Sequence, residues 1–290
     1  MNPRKISGFL KLEHTLFSLP LLFAGAALAE RHLGRGIGGL GWARALGLVL
    51  AGTGARTLAL AFNRILDRFI DARNPRTKGR ELPSGVLSLG QAWGVALAGL
   101  LLYIGSAWAL GFWCLVLSPI PLAVFVAYPW MKRFTFLAHA GVGAGLGLSA
   151  LGGFVGAANL PPLDPAVWWV ALFTFFWVSG FDILYAIQDE AFDRREGLHS
   201  IPARFGPRSA ALAGAVCHFS ALACLLALPF GAFASHRPAA FAALVPVALL
   251  LGAEQQLGHS LEPQAAFFKV NAWVGVFVLL YVLAGTGNIF

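Results

Sequence analysis

The chain has 290 residues, of which 58% are hydrophobic and only 12% are charged, and its formal net charge is +8. A soluble domain carries about 25% charged residues, so this composition excludes an ordinary soluble enzyme and predicts an all-α protein that crosses the membrane many times. The positive charge would also suit a nucleic-acid-binding protein. Lysine and arginine collect in the cytoplasmic loops of membrane proteins, however, so we expect the lipid bilayer as a partner and no nucleic acid.

Repeated apolar runs predict about nine transmembrane helices within one membrane domain, residues 1–290. The first run follows two basic residues and would also fit a signal peptide, but Lys11, Glu13 and His14 interrupt its start, which favours a first span. The eighth run is the weakest, because it ends in Glu254-Gln255-Gln256. The predicted spans are residues 10–29, 42–66, 88–109, 112–130, 137–158, 166–187, 208–230, 237–255 and 267–288.

The distribution of basic residues predicts the orientation of these spans. With the N-terminus in the cytoplasm, most of the 21 lysines and arginines fall in cytoplasmic segments, whereas the outer loops hold few. This bias is the usual one for proteins of the cytoplasmic (inner) membrane. We therefore expect the N-terminus and the two acidic segments described next to face the cytoplasm.

Three oxygen-bearing side chains recur every four residues at and just after the end of the second span: Asn63, Asp67 and Asp71. This spacing puts them on one face of a helix. Carboxylate and amide oxygens suit Mg²⁺, which also binds substrate phosphates. Six basic residues lie in the same segment, between Arg64 and Arg80, and would suit a phosphate group. A solvated polar helix end is the alternative interpretation of this pattern.

The end of the sixth span carries a similar pattern, which makes the solvated-end interpretation less attractive. Asp189 and Asp193 are again four residues apart, and Arg194 and Arg195 follow them. We interpret this as a weak internal duplication that places both acidic pairs on the same side of the membrane. It divides the domain into two four-helix halves, about 1–135 and 136–260, and a last helix, 267–288.

Two further polar residues, Asp182 and Tyr185, precede the second pair on the same predicted helical face. Asp182 lies two helical turns before Asp189, which places it about 10 Å deeper in the membrane. A charge near the centre of a span costs about 2.5–3.5 kcal/mol, so Asp182 needs a partner. Arg56, two turns before Asn63 on the second span, is the expected partner. Two interpretations stay open: a structural ion pair, or a pocket for an aromatic acceptor below the phosphate site.

The fourth span ends in Tyr128, Pro129 and Trp130, and Lys132 and Arg133 follow. Aromatic residues next to positive charge are typical of a membrane interface, so a plain interfacial anchor is one interpretation. The other is that Lys132 reaches the phosphate group bound by the acidic segments.

These motifs together resemble those of the UbiA superfamily of intramembrane prenyltransferases, and the resemblance covers essentially the whole chain. The first signature of that superfamily is similar to residues 63–71, with Asn74-Pro75-Arg76-Thr77 and Leu82-Pro83-Ser84-Gly85 after them. The second is similar to Asp182-Ile183-Leu184-Tyr185 with the acidic pair that follows. The segment from His199 to Gly206 is closest to the 4-hydroxybenzoate polyprenyltransferase-like branch.

The resemblance implies a fold and an activity. The fold has nine transmembrane helices around a central cavity, which two cytoplasmic loops with the Asp motifs cap and which opens sideways to the lipid. The activity is Mg²⁺-dependent transfer of a polyprenyl group from polyprenyl diphosphate to an aromatic acid. The expected acceptor is 4-hydroxybenzoate or a dihydroxynaphthoate, in ubiquinone or menaquinone biosynthesis.

The resemblance also implies roles for individual residues. The expected metal ligands are Asn63, Asp67, Asp71, Asp189 and Asp193; the diphosphate-binding residues are Lys132, Arg133, Arg64 and Arg80; the acceptor-binding residues are Lys11 and Arg56; and the catalytic residues are Asp182 and Tyr185. Two positions depart from the family pattern. Arg64 stands where many members have Asp, and Lys11 stands where 4-hydroxybenzoate enzymes often have Arg.

Two other classes of function are weighed against the enzyme. A cation-coupled transporter also uses intramembrane acids, but its acids would lie near the middle of the membrane, often at broken helices. Here four acidic residues lie at span ends beside dense positive charge, which favours an anionic substrate over a free cation. A non-catalytic assembly subunit is the third interpretation, and the intact Asp pairs argue against it.

Overall fold

The computed structural model describes residues 15–257 and 264–288. In these ranges the chain is helical and contains no strand, with nine long helices. They are α1 Thr15–His32, α2 Gly41–Arg73, α3 Leu89–Leu110, α4 Phe112–Met131 with a turn at Ser118, α5 Ala138–Ala158, α6 Pro165–Ala186, α7 Pro207–Leu226, α8 Arg237–Leu257 and α9 Gln264–Gly285. Each coincides with one predicted span.

Seven of these described helices, α2 to α8, are long and apolar enough to cross a membrane. This confirms the prediction of an all-α polytopic membrane protein. The number of crossings stays a prediction, because α1 and α9 are not among those seven. The second helix extends beyond its predicted end at residue 66 and carries the whole first acidic motif.

Local polar residues set where several helices begin. Ser88 and Gln91 form a reciprocal cap at the start of α3: the Gln91 backbone N–H donates to Ser88 Oγ (3.2 Å), and the Ser88 N–H donates to Gln91 Oε1 (3.0 Å). Asp164 caps α6 through the Ala166 N–H (2.9 Å), ahead of Pro165 at the first helical position. The cap at Ser88 ends the loop that follows the first motif, and so bounds that loop to residues 74–88.

The helices pack in an order that joins the two ends of the chain. Helix α2 packs against α3 and α4, α4 against α5, α5 against α6, and α6 against α7. Helix α9 packs against α8 and α1, and α1 packs against α5. The first helix therefore contacts both the middle and the last part of the chain.

The weakly predicted α8 is held by buried polar contacts. Glu254 is fully buried, and its carboxylate accepts hydrogen bonds from Trp177 Nε1 on α6 (3.2 and 3.1 Å). His218 Nε2 on α7 lies 3.5 Å from the same carboxylate. Gln255 Nε2 donates to the backbone carbonyl of Ala211 on α7 (2.9 Å). Glu254 and Gln255, which weaken the apolar pattern of α8, are thus the residues that bind it to α6 and α7.

Glycines let α1 and α5 approach more closely than side chains would permit. A methyl group at Gly153 would overlap the backbone carbonyl of Leu22, and one at Gly25 would overlap the carbonyl of Ala150. Close backbone approach through small residues is a common way for membrane helices to associate. Gly152, the neighbour of Gly153, has open space instead.

We expect Gly153→Ala to destabilise the protein by about 1–3 kcal/mol, because the added methyl group forces α1 and α5 apart. Gly152→Ala is the matched control, and it should be neutral or slightly stabilising, since alanine favours a helix over glycine. The measurement is the thermal unfolding of both variants in detergent. Equal unfolding temperatures for the two variants would contradict the close contact.

Candidate active site

The first acidic motif lies on the last turns of α2. Asn63 Nδ2 donates to Asp67 Oδ2 at 3.5 Å, which confirms that these side chains share a helical face. Asp67 is 3% exposed and Asp71 is 5% exposed. Burying two carboxylates this closely requires positive partners, because an unpaired charge is costly away from water.

The chain itself provides those partners. Lys132 Nζ lies 2.8 Å from Asp67 Oδ2, and Arg133 Nη2 lies 3.5 Å from Asp67 Oδ1. Arg80 Nη1 donates to both carboxylate oxygens of Asp71 (2.9 and 2.8 Å). Three of the predicted diphosphate-binding residues therefore lie against the first motif. The fourth, Arg64, is buried and donates to Glu81 Oε2 at 2.8 Å.

The four-residue spacing had predicted one continuous α-helix through the second acidic motif, and this prediction was wrong. Helix α6 ends at Ala186, residues Ile187–Asp189 form a tighter 3₁₀ turn, and Asp193 lies on the separate short helix Glu190–Arg195. Such turns are frequent at helix ends, where the last carbonyls lack partners. Gln188 Nε2 satisfies the Tyr185 carbonyl here (2.8 Å). The turn changes the direction of Asp189 relative to Asp182.

Arg76 joins the first loop, residues 74–88 after the first motif, to the second loop, residues 187–206, which carries the second motif. Its Nε donates to Asp189 Oδ1 at 2.9 Å, its Nη2 donates to Asp189 Oδ2, and its Nη1 donates to the Tyr185 hydroxyl at 3.0 Å. Asn74 Nδ2 also donates to Asp189 Oδ1 (3.1 Å). The predicted placement of both motifs on one side is therefore confirmed.

The electrostatics of this contact keep Arg76 charged. Burial lowers the pKa of the Arg76 guanidinium, but the hydrogen bonds and negative charge of Asp189, with Tyr185, outweigh burial, so its pKa lies above the ordinary value. A second ion pair between the loops joins Arg73 Nε and Glu196 Oε2 at 2.9 Å. The two loops thus meet through charge-assisted hydrogen bonds.

The predicted metal ligands do not form a ready coordination shell. Within residues 15–257 and 264–288, no group of three or more His, Cys, Asp or Glu side chains is placed to hold a metal ion. Basic side chains stand between the carboxylates instead. The donor chemistry nevertheless fits Mg²⁺, because the set consists of carboxylate and amide oxygens. Asp67 Oδ1 is also buried without a hydrogen-bond partner in the described part of the chain.

The partner of Asp182 is His139, and the expectation of an ion pair with Arg56 was wrong. His139 Nδ1 on α5 lies 2.7 Å from Asp182 Oδ2. The Nε atom of Arg56 is buried without a hydrogen-bond partner among the described residues, and Tyr128 lies within electrostatic reach of both Arg56 and Asp182. Sequence spacing predicted a depth for Arg56 but gave no information on which helix faces Asp182.

Sequence reasoning assigned no role to three residues that contribute to the site. Arg76 and Asn74 belonged to the Asn74-Pro75-Arg76-Thr77 segment that resembles the family signature, but neither was given a role of its own. His139 gave no signal, because it is a single histidine at the start of an apolar run. Lys11, the other expected acceptor contact, lies outside the described residues.

Comparisons with known proteins show which family the chain belongs to. Residues 18–285 match the UbiA prenyltransferase family. The apo structure of a UbiA homolog from Aeropyrum pernix K1 is 34% identical, with a TM-score of 0.79 over 92% of this chain and 95% of that chain. A UbiA homolog from Archaeoglobus fulgidus, solved with GPP and Mg²⁺, is 16% identical and has the same fold, with a TM-score of 0.69 over 98% and 99% of the two chains.

A curated sequence relative extends the comparison. The 4-hydroxybenzoate octaprenyltransferase of Pseudoalteromonas atlantica is 28% identical over 81% of this chain and 81% of its own length. The family match covers well over half of the chain. The protein therefore belongs to the UbiA prenyltransferase family and is an enzyme that transfers prenyl groups.

Proposed function

We propose that the enzyme transfers a polyprenyl group from polyprenyl diphosphate to an aromatic acid, 4-hydroxybenzoate or a dihydroxynaphthoate, in quinone biosynthesis. The observation that carries this proposal is the meeting of two acidic motifs with Arg76, Arg80 and Lys132 at one end of the helices. The activity named for the Pseudoalteromonas relative supports an aromatic acceptor. The rival transporter is not favoured, since the acids here are already neutralised by arginine and lysine.

The diphosphate would bind where the two loops meet. Mg²⁺ would be held by Asn63, Asp67, Asp71, Asp189 and Asp193, and when bound it would neutralise charge on the departing diphosphate. The Archaeoglobus homolog, solved with GPP and Mg²⁺, supports this choice of metal. Arg76, Arg80, Lys132 and Arg133 would turn from the carboxylates toward the phosphate oxygens, because guanidinium and ammonium groups form strong hydrogen bonds with either anion. Arg64, held by Glu81, would add positive charge behind them.

The apolar part of the donor needs a path from the lipid. A groove of about 350 Å³ lies between α1 and α9, and its lining is almost wholly apolar, with Leu19, Phe23, Trp273 and Val276 among its residues. We propose that the prenyl chain enters sideways into a central cavity that both loops cap. The two loops and the N-terminus would then face the cytoplasm, and the two four-helix halves would share the one site.

The acceptor would lie deeper than the diphosphate, next to Asp182. Arg56, and Lys11 on the N-terminal segment, would bind its carboxylate. The bond between the first prenyl carbon and the diphosphate oxygen breaks, and its electron pair leaves with the diphosphate. Asp182 takes the proton of the ring hydroxyl, and the carbon ortho to that hydroxyl forms the new C–C bond. The hydrogen on that carbon then moves to the phenolic oxygen, so one proton and one diphosphate are released in all.

Tyr185 would separate the two parts of the site. Its hydroxyl accepts from Arg76, and the Arg76 guanidinium lies 5.2 Å from the centre of its ring. The contact with Arg76 supports a position of the ring between the diphosphate-binding loops and Asp182. An aromatic face at this point would stabilise the allylic cation while excluding water.

The proposal predicts a metal-dependent product that can be identified by mass. Protein in lipid vesicles, given labelled polyprenyl diphosphate and a panel of aromatic acids, should form a prenylated aromatic acid. EDTA should abolish the product, and added Mg²⁺ should restore it, because the diphosphate cannot leave without charge neutralisation. Product at full rate in EDTA would refute the metal assignment. No product with any acid on the panel would refute the aromatic acceptor.

A further inference from the structure

His139 lies where α5, α6 and the second loop meet. Its side chain is only 6% exposed, whereas the side chain of Asp182, which it contacts, is 29% exposed. On its other side, His139 Nε2 receives the backbone N–H of Ile201 at 3.4 Å. Ile201 begins the short helix Ile201–Phe205 of the second loop. The histidine is therefore buried and contacts the Asp182 carboxylate with one ring nitrogen and the second loop with the other.

The two contacts together determine the protonation of the ring. A backbone N–H can only donate, so His139 Nε2 must be the acceptor and carries no proton. A neutral imidazole then has its proton on Nδ1, which donates to Asp182 Oδ2. The contact to Ile201 also satisfies one of the N-terminal N–H groups that a helix leaves without a partner. Ser200 Oγ satisfies another, that of Ala203 (3.3 Å).

We propose that His139 is a positioning residue for Asp182. By engaging Oδ2, it holds the carboxylate of this partly exposed side chain in one orientation and leaves Oδ1 to bind the ring hydroxyl of the acceptor. It also makes that orientation depend on the second loop, since the same ring holds Ile201. This inference rests on the proposed function, in which Asp182 takes the acceptor's proton.

The second loop is connected to the diphosphate side as well. The His199 backbone N–H donates to the Lys132 carbonyl at 2.7 Å, and Asp193 accepts a hydrogen bond from the Ser200 side chain. Residues 199–201 thus contact, in succession, the segment of Lys132, the second acidic motif and His139. A shift of this loop when the donor binds would reach Asp182 through the histidine.

Three substitutions of His139 separate its two contacts. Asparagine places its amide nitrogen near the position of Nδ1, so His139→Asn keeps the donor to Asp182 and loses the contact with Ile201. Glutamine reaches the position of Nε2, so His139→Gln keeps an acceptor for Ile201 and loses the donor to Asp182. His139→Phe keeps much of the ring volume and loses both contacts. His236→Gln, at an exposed position far along the chain, is the matched control for a histidine substitution.

We expect His139→Gln and His139→Phe to lower kcat for prenyl transfer by about 10- to 100-fold, the range for residues that orient a functional group. His139→Asn should have a kcat much closer to that of the wild type than the other two variants, and the kcat of His236→Gln should match the wild type. Binding of the prenyl diphosphate with Mg²⁺, measured by calorimetry, should be unchanged in all of them. In an Asp182→Asn background, His139→Phe should cause no further loss, because the two residues act as one unit.

A purely structural role gives a different pattern. The variants would then lose thermal stability without a change in kcat, or His139→Phe would lower kcat equally with and without Asp182. Either result would overturn the proposal. The proposal would also be overturned if kcat of His139→Asn were no higher than kcat of His139→Phe, since the donor to Asp182 would then be irrelevant.

A second measurement does not depend on the reaction. Solid-state NMR of ¹⁵N-histidine-labelled protein in lipid should show the signal of a ring with a proton on Nδ1 and none on Nε2. This signal should be absent from the spectrum of His139→Asn. In Asp182→Asn this signal should shift. A proton on Nε2 of His139 would refute the inference even if prenyl transfer is confirmed. The opposite combination is also informative. If the NMR signal is as expected but the protein prenylates no aromatic acid, the proposed function is refuted and the His139–Asp182 contact is retained.

Discussion

Asp67→Asn is expected to lower prenyl transfer by about 10³-fold or more, a loss like that of removing one strong charge-stabilising group. Asparagine keeps the shape of the side chain but replaces a charged metal ligand with a neutral amide and removes the negative charge that holds Lys132 at 2.8 Å. The proposed site would then hold less Mg²⁺, and the diphosphate would leave more slowly. Single-turnover rates with saturating donor, together with calorimetric binding of donor and Mg²⁺, are the measurements.

Asp189→Asn should lower prenyl transfer by a comparable factor, for two reasons. It removes the charge of a metal ligand and also the negative charge and one acceptor oxygen that hold Arg76, which loosens the contact between the loops. Glu190→Gln is the control, since Glu190 is the neighbouring carboxylate and its ion pair is with Arg194 (2.7 Å). If Asp67→Asn or Asp189→Asn transfers prenyl groups as fast as Glu190→Gln, the two-motif site is wrong.

Asp182→Asn is expected to reduce transfer by about 10²- to 10⁴-fold, the usual contribution of a positioned acid or base. Asparagine keeps a polar partner for His139 but cannot take a proton. Binding of the prenyl diphosphate should stay nearly intact, because Asp182 lies on the regular part of α6, before the turn that carries Asp189. Tyr185→Phe should be milder and should act mainly on the KM of the acceptor.

The same variants distinguish a structural role of Asp182. If Asp182 only satisfied His139, Asp182→Asn would lower the melting temperature and the yield, and the surviving protein would transfer at the normal rate. Loss of donor binding as complete as in Asp189→Asn would have another meaning. Asp182 would then belong to the diphosphate site, and the assignment of a separate acceptor site would be incorrect.

Features that depend on short-range periodicity could be predicted from the sequence. The apolar runs gave the helix positions, and the four-residue spacing gave the shared face of Asn63 and Asp67, because both follow from the geometry of a single helix. The meeting of the two loops was also predictable, since basic residues mark the cytoplasmic side of each span.

Features that depend on the facing of different helices could not be predicted in this way. The partner of Asp182 is on α5 and not on α2, and only the packing of α5 against α6 decides this. The 3₁₀ turn after Ala186 is another example, because the residues there would also continue an α-helix. Arg76 was one of six cations in its segment, and although it lies in the part that resembles the family signature, its local sequence does not show that it reaches Asp189.

The pairing of three motif carboxylates with cations of the same chain affects how the protein takes up its metal. Asp67, Asp71 and Asp189 are neutralised by Lys132, Arg80 and Arg76, so none of them waits for an external ion. The fold therefore does not need Mg²⁺ to neutralise these three carboxylates. Free Mg²⁺ would have to compete with these cations for the carboxylates, whereas diphosphate gives the displaced cations a new anion. The resting protein should consequently take up its metal together with the donor and not before it.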